Sequence, residues 1–229
     1  MAYFDVLNHF DSFGKYGMPQ LAPCTLNLEL VKWIPWNQAK SYPENKSNTG
    51  VHFFQYDQAF AGVWNDKGML HRLIDFTCAA TPDFSVYTDM PLAFQVWQRF
   101  RSQYLGCYMQ QVMGLPVVAT LCWSTEDSFE FTFDGIPKGT VCITNSLGIF
   151  QNDHKTCNLH RAGLKEAIKR IEPKKIWVYG GPKPFYPDYE YGYIEPFYVS
   201  MKRRAKEYRA KYGHLIKEAQ RRDHFLEIE

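Results

Sequence analysis

The sequence is short of the features that most often assign a function. No apolar run approaches the roughly 20 residues that a membrane-crossing helix needs. The opening MAYFDVLNHF lacks the basic-then-apolar order of a secretion signal. No CxxC, HExxH, GxSxG, GxGxxG or GxxxxGK[ST] occurs, which removes the usual marks of thiol redox centres, zinc peptidases, serine hydrolases and phosphate-cradling loops. One HxxCxxH, His154-Cys157-His160, has no second cluster to complete a zinc set. The pattern therefore assigns no metal and no cofactor. Net charge is only +2, so no global attraction to nucleic acid follows. There is no repeat and no low-complexity tract. These absences leave a soluble, cytoplasmic, non-membrane protein as the expectation.

What is present is an apolar, aromatic chain long enough to bury a full core. Of 229 residues 45% are hydrophobic, and 17 Phe, 15 Tyr and 6 Trp form an aromatic surplus that serves either core packing or a stacking surface. Three of the six cysteines, Cys78, Cys122 and Cys142, fall inside apolar runs, as buried reduced thiols do. Charge is uneven. Residues 200–229 carry nine Lys/Arg against five Asp/Glu, whereas the rest of the chain is slightly acidic.

Residues 1–49 read as an aromatic, Pro-containing lead-in that wraps the body. From Gly50 the pattern changes to alternating strands and helices. Strands are expected at 51–54, 73–80, 116–123, 140–149 and 175–181, about five in all. Their hydrophobicity is continuous rather than alternating, as in strands covered on both faces. A helix from about Asp89 to Met113 presents Ala93, Trp97, Phe100, Tyr104 and Tyr108 as its apolar face, with Asp89 as N-cap. Leu159, Gly163, Leu164, Ala167, Ile168 and Ile171 mark a second helix, closed by Pro173. The fold expected is α/β, with β-α units and a mainly parallel sheet, open or curled into a partial barrel. Residues 182–198 read as a Pro/Tyr-rich covering arm or linker, so that 1–198 form one domain. A basic amphipathic helix then occupies 199–229. Its Met201, Ala205, Tyr208, Tyr212, Leu215 and Ala219 follow a 4-3-4-3-4 seam that fits the chain's own body, a second copy or a partner. Lys202, Arg203, Arg204, Lys206 and Arg209 cluster at its start, as on a nucleic-acid-binding helix.

Parallel strands gather their carboxyl-end residues on one rim, where α/β sheets place their sites. The stretch Leu73–Trp97 is central to that rim. Asp57, Asp83, Ser85 and Tyr87 are the catalytic candidates, with the two aspartates as an acid/base pair or as oxygen ligands; each aspartate also fits a plain cap or turn role. Trp123, Glu126, Asn145 and Tyr179 are the ligand-binding candidates, Trp123 as a stacking platform or as packing. Lys138 falls at the opposite end, as a solvated loop residue.

Several pieces recur together in a known pattern: HFF with Asp57 ahead of Val63-Trp64, PDFSVYTDMP, then Gln95, Trp97 and Arg101, Trp123, FTFDGIPKGT and IKRIEPKKIWVYGG. Over residues 14–181 the chain resembles the domain-of-unknown-function family 4417 of bacteria, plasmids and phages. The resemblance implies a phage or mobile-element setting and no stated activity. In the family pattern a second acidic residue stands beside Asp57, and an acidic-basic pair stands where this chain has Ala61-Gly62; here the neighbour is Tyr56. These departures tell against catalysis by this copy.

Three readings follow. One is a phage or mobile-element accessory protein that binds nucleic acid or a host protein through the basic helix and an aromatic surface, in the host-cell cytoplasm. The others are an enzyme acting on a nucleotide or sugar-like ligand at the rim, and an inactive inhibitor or structural partner of a host protein. The basic tail favours the first.

Overall fold

The computed structural model describes residues 9–150 and 152–226, and side chains up to residue 212. A two-residue ribbon, β1 (Ser12–Phe13) and β2 (Met18–Pro19), opens the described chain. There follow β3 (Lys32–Pro35), α1 (Trp36–Ala39), β4 (Thr49–His52), β5 (Cys78–Ala80), α2 (Leu92–Cys107), β6 (Val117–Thr120), α3 (Phe129–Thr132), β7 (Val141–Asn145), α4 (His154–Ile171), β8 (Lys175–Tyr179), β9 (Tyr191–Ile194) and α5 (Phe197–Leu226).

β3 to β9 form one seven-stranded sheet, all parallel, in which spatial order equals chain order. Each crossover steps to the next neighbour, so the sheet winds in one sense and curls into a half-barrel. The curl is measurable. The His52 ring at the end of β4 lies 4.3 Å from the Tyr179 ring at the end of β8. Those strands are four positions apart, which in a flat sheet would put them roughly 19 Å apart at ~4.8 Å per step.

Two strands lie where the sequence reads as irregular. β3 sits in the lead-in and β9 in the Pro/Tyr-rich arm, and these two bound the sheet. Terminal strands tolerate the Pro at the end of KWIP and the Gly of YGYI, so neither carries the long apolar run of a central strand. The expected strand over 73–80 shrinks to Cys78–Ala80, because a 3-10 helix runs from Lys67 to Leu73, its first turn capped by the Asp66 side chain.

Alternate strand residues fill the concave face: Trp33, Cys78, Ala80, Val118, Val141, Ile143, Trp177, Tyr179 and Ile194 form one cluster with Cys24 and Leu28 of the lead-in. The lead-in is held there by a Val141 N–H bond to the Cys24 carbonyl at 2.9 Å and a Thr140 hydroxyl accepting from the Cys24 N–H at 2.9 Å. The amino end of the half-barrel is thereby plugged. Loops and polar side chains gather at the carboxyl end.

α4 behaves as its periodicity predicts. Leu164, Ala167 and Ile171 are buried, and the Asp153 carboxylate accepts from the Thr156 N–H at 3.1 Å as N-cap. Gly163 lies against the Trp123 indole so closely that a Cβ would collide with it.

The chain divides into two compact units after Ile194. In the second, residues 201–211 of α5 are exposed along the helix. Leu215 and Ala219 of the expected seam lie outside the described side chains. Among the described residues no helix is long and apolar enough to cross a membrane.

Candidate functional site at the carboxyl rim

α2 departs from the expected facing along its first turns. Trp97 and Phe100 are half-buried and Tyr104 is buried; the three run along the helix in contact with each other, and Trp64 packs edge-on to Trp97 at 4.9 Å. Its last turn also buries Leu105, Gly106 and Cys107, and the buried side before that is polar: Gln95, Gln98, Arg99, Ser102 and Gln103. Each donates to a backbone carbonyl of a neighbouring loop or strand end. Gln98 reaches Ser85 at 3.0 Å, Arg99 reaches Thr120 at 3.1 Å, Ser102 reaches Pro82 at 2.6 Å and Gln103 reaches Asp134 at 2.6 Å. Gln95 reaches Met90 at 2.8 Å and also accepts from the Ser124 hydroxyl. Buried carbonyls that leave a sheet need donors, and this helix supplies them. Pro91, not Asp89, occupies the N-cap, and Asp89 is exposed in the preceding turn. Gln95 folds back onto the Met90 carbonyl, so the helix entry is tied down from inside and no side-chain cap forms.

The rim holds a pocket of about 160 Å³, lined by Asp83, Leu121, Cys122, Trp123, Thr144, Asn145, Ile149 and His160. Asp83 Oδ1 and His160 Nδ1 are buried there without a protein partner. Burial pushes the Asp83 carboxyl up to about 6, against the pull of the Arg99 guanidinium and the Cys122 thiol, while the Asp57 charge pushes the same way as burial. Burial lowers His160 to about 4, opposed by the Asn145 carbonyl and assisted by Lys183. Burial and the Asp83 charge raise the Cys122 thiol, so it stays protonated. The result is a carboxyl able to exchange a proton near neutral pH beside a neutral imidazole.

Asp57 does not share this pocket's freedom. Its carboxylate accepts from the Ser85 N–H at 3.2 Å and the Ser85 hydroxyl at 2.9 Å, and it faces Arg101 at 3.9 Å. Arg101 in turn lies flat on the Phe84 ring at 3.5 Å. Asp57 and Ser85 are thus brought together as the clamp that folds loop 83–87 over the sheet edge. Tyr87 is 57% exposed and stands apart from the pocket. Glu126 is exposed on a 3-10 turn and does not line it either. Trp123 and Asn145 do line it. The Trp123 Nε1–H donates to the Leu159 carbonyl at 3.1 Å and Asn145 Oδ1 accepts from the Leu147 N–H at 2.9 Å, so both walls are fixed in place. Tyr179 is buried on the concave face between His52 and Phe54. Lys138 pairs with Glu172 at 2.5 Å on the surface.

Sequence reasoning missed His160, Cys122 and Arg99. The HxxCxxH motif is divided by the fold: His160 reaches the pocket and stacks on Tyr186 at 5.1 Å, whereas the Cys157 thiol donates to the Phe150 carbonyl. Arg99 is fully buried in α2, and a helix that spaces Gln95, Gln98, Arg99, Ser102 and Gln103 at threes and fours carries a polar stripe legible by the same period as an apolar one. Among the described residues no group of three or more His, Cys, Asp or Glu is placed to hold a metal ion.

The profile of a family described as a domain of unknown function, DUF4417, matches residues 10–197. The chain belongs to this family. It is 37% identical over 182 residues to the Gene 1 protein of Mycobacterium phage L5, covering 77% of this chain and 78% of that protein. It is 38% identical over 187 residues to the Gene 1 protein of Mycobacterium phage D29, covering 77% of this chain and 66% of that protein. No solved structure matches. These relatives place this DUF4417 member among phage proteins.

Proposed function

We propose that this DUF4417 protein is an enzyme of the phage-infected cytoplasm that transfers a proton on a small polar ligand held at the carboxyl rim, with Asp83 as the acid/base group. The observation that carries the reading is the pairing, in one pocket, of a buried Asp83 oxygen and a buried His160 nitrogen that no protein group satisfies. Buried polar atoms ordinarily have partners, and two without one, on residues that line one pocket at the carboxyl ends of parallel strands, are what a ligand site requires. Arg99 and Cys122 set the charge of Asp83, Trp123 and Asn145 form the walls, and the Asp57–Ser85–Arg101 clamp holds the loop.

The test is a ligand-detected NMR screen of nucleosides and monosaccharides against the protein and Asp83→Asn, followed by mass spectrometry of the hits for turnover. Hits that perturb the Trp123 indole, turn over with a midpoint near pH 6 and are lost in Asp83→Asn support it. Hits that bind and react equally well with Asp83→Asn overturn it.

A specific observation supports a second reading, nucleic-acid binding by α5. Lys202, Arg203, Arg204, Lys206 and Arg209 lie on an exposed helix with Tyr208 among them. Arg203 pairs with Glu195 at 3.0 Å and Glu207 at 3.5 Å. The Met201–Ala205–Tyr208–Tyr212 seam is flanked by Lys202, Arg204, Arg209 and Lys211, all of one sign. Pairing two copies in parallel would set Arg204 against Arg209, which disfavours the homo-oligomer and favours a polyanion. Fluorescence anisotropy with oligonucleotides, across a salt series and with a chain lacking residues 199–229, tests it. Binding that is salt-insensitive, or unchanged in the shortened chain, removes α5 as the contact.

A further inference from the structure

We infer that the rim pocket takes a neutral, planar heterocycle presenting N–H donors, the chemistry of an amino-bearing nucleobase. The inference rests on the reading of the rim pocket as the ligand site, and it concerns only what that pocket selects.

The balance of donors and acceptors selects the ligand first. Asp83 Oδ1 is an acceptor without a protein partner. The His160 ring nitrogen without a partner is Nδ1, which presents a lone pair when the neutral ring carries its proton on Nε2. Three donors on the same walls are committed to the protein. The Thr144 hydroxyl donates to the Leu121 carbonyl at 3.2 Å, the Trp123 indole N–H donates to the Leu159 carbonyl at 3.1 Å, and the Cys122 thiol hydrogen-bonds Asp83. A pocket with two open acceptors and three committed donors suits a group that only donates. The two N–H bonds of one exocyclic amino group do so. A sugar hydroxyl brings a single O–H for two acceptors and leaves one of them unmet, which costs free energy.

Charge selects in the same direction. The two rim carboxylates each have a guanidinium near them, Arg99 for Asp83 and Arg101 for Asp57, and Lys183 acts on His160. No uncompensated negative charge is left to select a cation. A phosphate, in turn, would meet the Asp83 carboxylate at the back of the hole. A neutral ligand is favoured over either ion.

Shape limits the ligand further. At about 160 Å³ the pocket is smaller than the roughly 300–1,000 Å³ of drug-sized sites, and it holds one ring system. Its walls are flat and apolar where they are not acceptors: Trp123, Leu121 and Ile149. The His160 ring that carries Nδ1 is locked between Trp123 at 4.9 Å and Tyr186 at 5.1 Å, so the acceptor's direction is fixed before a ligand arrives.

Isothermal titration of the full chain with cytosine, adenine, thymine, glucose and a single-stranded oligo-dC tests the inference. Cytosine or adenine is expected to bind at least about tenfold more tightly than thymine or glucose, because one hydrogen bond to a charged acceptor separates them. Asp83→Asn, which turns the acceptor into an amide of the same size, is expected to lose that preference with no loss of melting temperature. His160→Phe, which keeps the ring and removes Nδ1, should lose part of it. If oligo-dC binds better than cytosine with the same Asp83 dependence, the source is a base of a strand; if it does not, the source is a free base or nucleoside. Glucose binding that is lost in Asp83→Asn overturns the nucleobase class and leaves the acid/base pocket standing. No saturable binding of any probe at millimolar concentration overturns both.

Discussion

The two long helices of the half-barrel unit bury opposite kinds of surface. α4 buries Leu164, Ala167 and Ile171 and meets the core as an amphipathic helix does. α2 buries Gln95, Gln98, Arg99, Ser102 and Gln103 ahead of the apolar Tyr104, Leu105 and Cys107 of its last turn, and leaves Trp97 and Phe100 half-covered. The difference lies in what each helix must satisfy. α4 covers strands whose backbone groups are already paired in the ladder. α2 covers the carboxyl ends of β5 and β6, where the chain leaves the sheet and its carbonyls need donors. A helix that supplies hydrogen bonds to loops fixes the loops, and these loops carry Asp83, Cys122 and Trp123. Scaffold and site-holder can thus be told apart by the polarity of the buried face.

The largest test of this contrast is Arg99→Ala. It removes a fully buried guanidinium that bonds the Thr120 carbonyl and steadies the Asp83 charge. A stability loss of about 4 kcal/mol is expected in urea unfolding, because the buried carboxylate is left without its opposing charge. The Asp83 titration, followed by carboxyl-carbon NMR, should move above about 6. A loss below about 1 kcal/mol would show that the polar face is not what holds α2. On the other helix Leu164→Ala should cost about 3 kcal/mol through the cavity it leaves, with no movement of the Asp83 titration.

A smaller effect separates the same regions by pH. The Asp83 carboxyl titrates near 6 when folded against an ordinary value of 3.8, so the proton favours the folded state. The stability contributed by the neutral carboxyl is present below about pH 4 and is lost as pH rises through 6. Asp83→Asn, neutral throughout, should match the native chain near pH 4 and exceed it by about 2 kcal/mol at pH 7.5, allowing for partial solvation. The buried histidines act with the other sign. His160 is lowered to about 4 and His52 to about 3, both by burial. Their neutral forms support the fold above about pH 6.5, and that support is lost as pH falls through the folded values. Paired melts of the native chain and Asp83→Asn from pH 3 to 8 separate the two terms, since only the difference curve isolates Asp83.

The parallel sheet, the α/β class and the rim were legible because central strands buried on both faces must be continuously apolar, as at 117–120 and 141–145. The terminal strands β3 and β9 were not, because a four-residue edge with Pro or Gly has no such run. Asp83, Trp123 and Asn145 were legible as strand-end residues. Asp57 was legible as a rim residue, yet its role as a clamp depends on Ser85, 28 residues away, and on Arg101 from α2. His160 was hidden because a half-turn of α4 that faces the pocket looks like any other helical position. α2 was misread for a physical reason. Aromatic residues at helical spacing signal burial, but here Trp64 and Phe10 cover that side as an outer layer, with Tyr104 the ring that both touch.

The finest test uses two substitutions of equal expected cost. Asp153→Ala removes the α4 N-cap, and Ser102→Ala removes the α2 hydroxyl that donates to the Pro82 carbonyl at 2.6 Å. Each should lower stability by about 1 kcal/mol, so a melt alone will not tell them apart. Their consequences at the rim should differ. Pro82 precedes Asp83, and loosening its carbonyl lets the Asp83 carboxyl turn toward water, which should bring its titration down from about 6 toward the ordinary carboxylate range. Asp153 caps the far end of a helix that lines the pocket through His160, about two turns on, and its loss should leave the Asp83 titration where it was. If both substitutions shift the Asp83 titration, or neither does, then α2 and α4 hold the rim alike and the distinction between them fails.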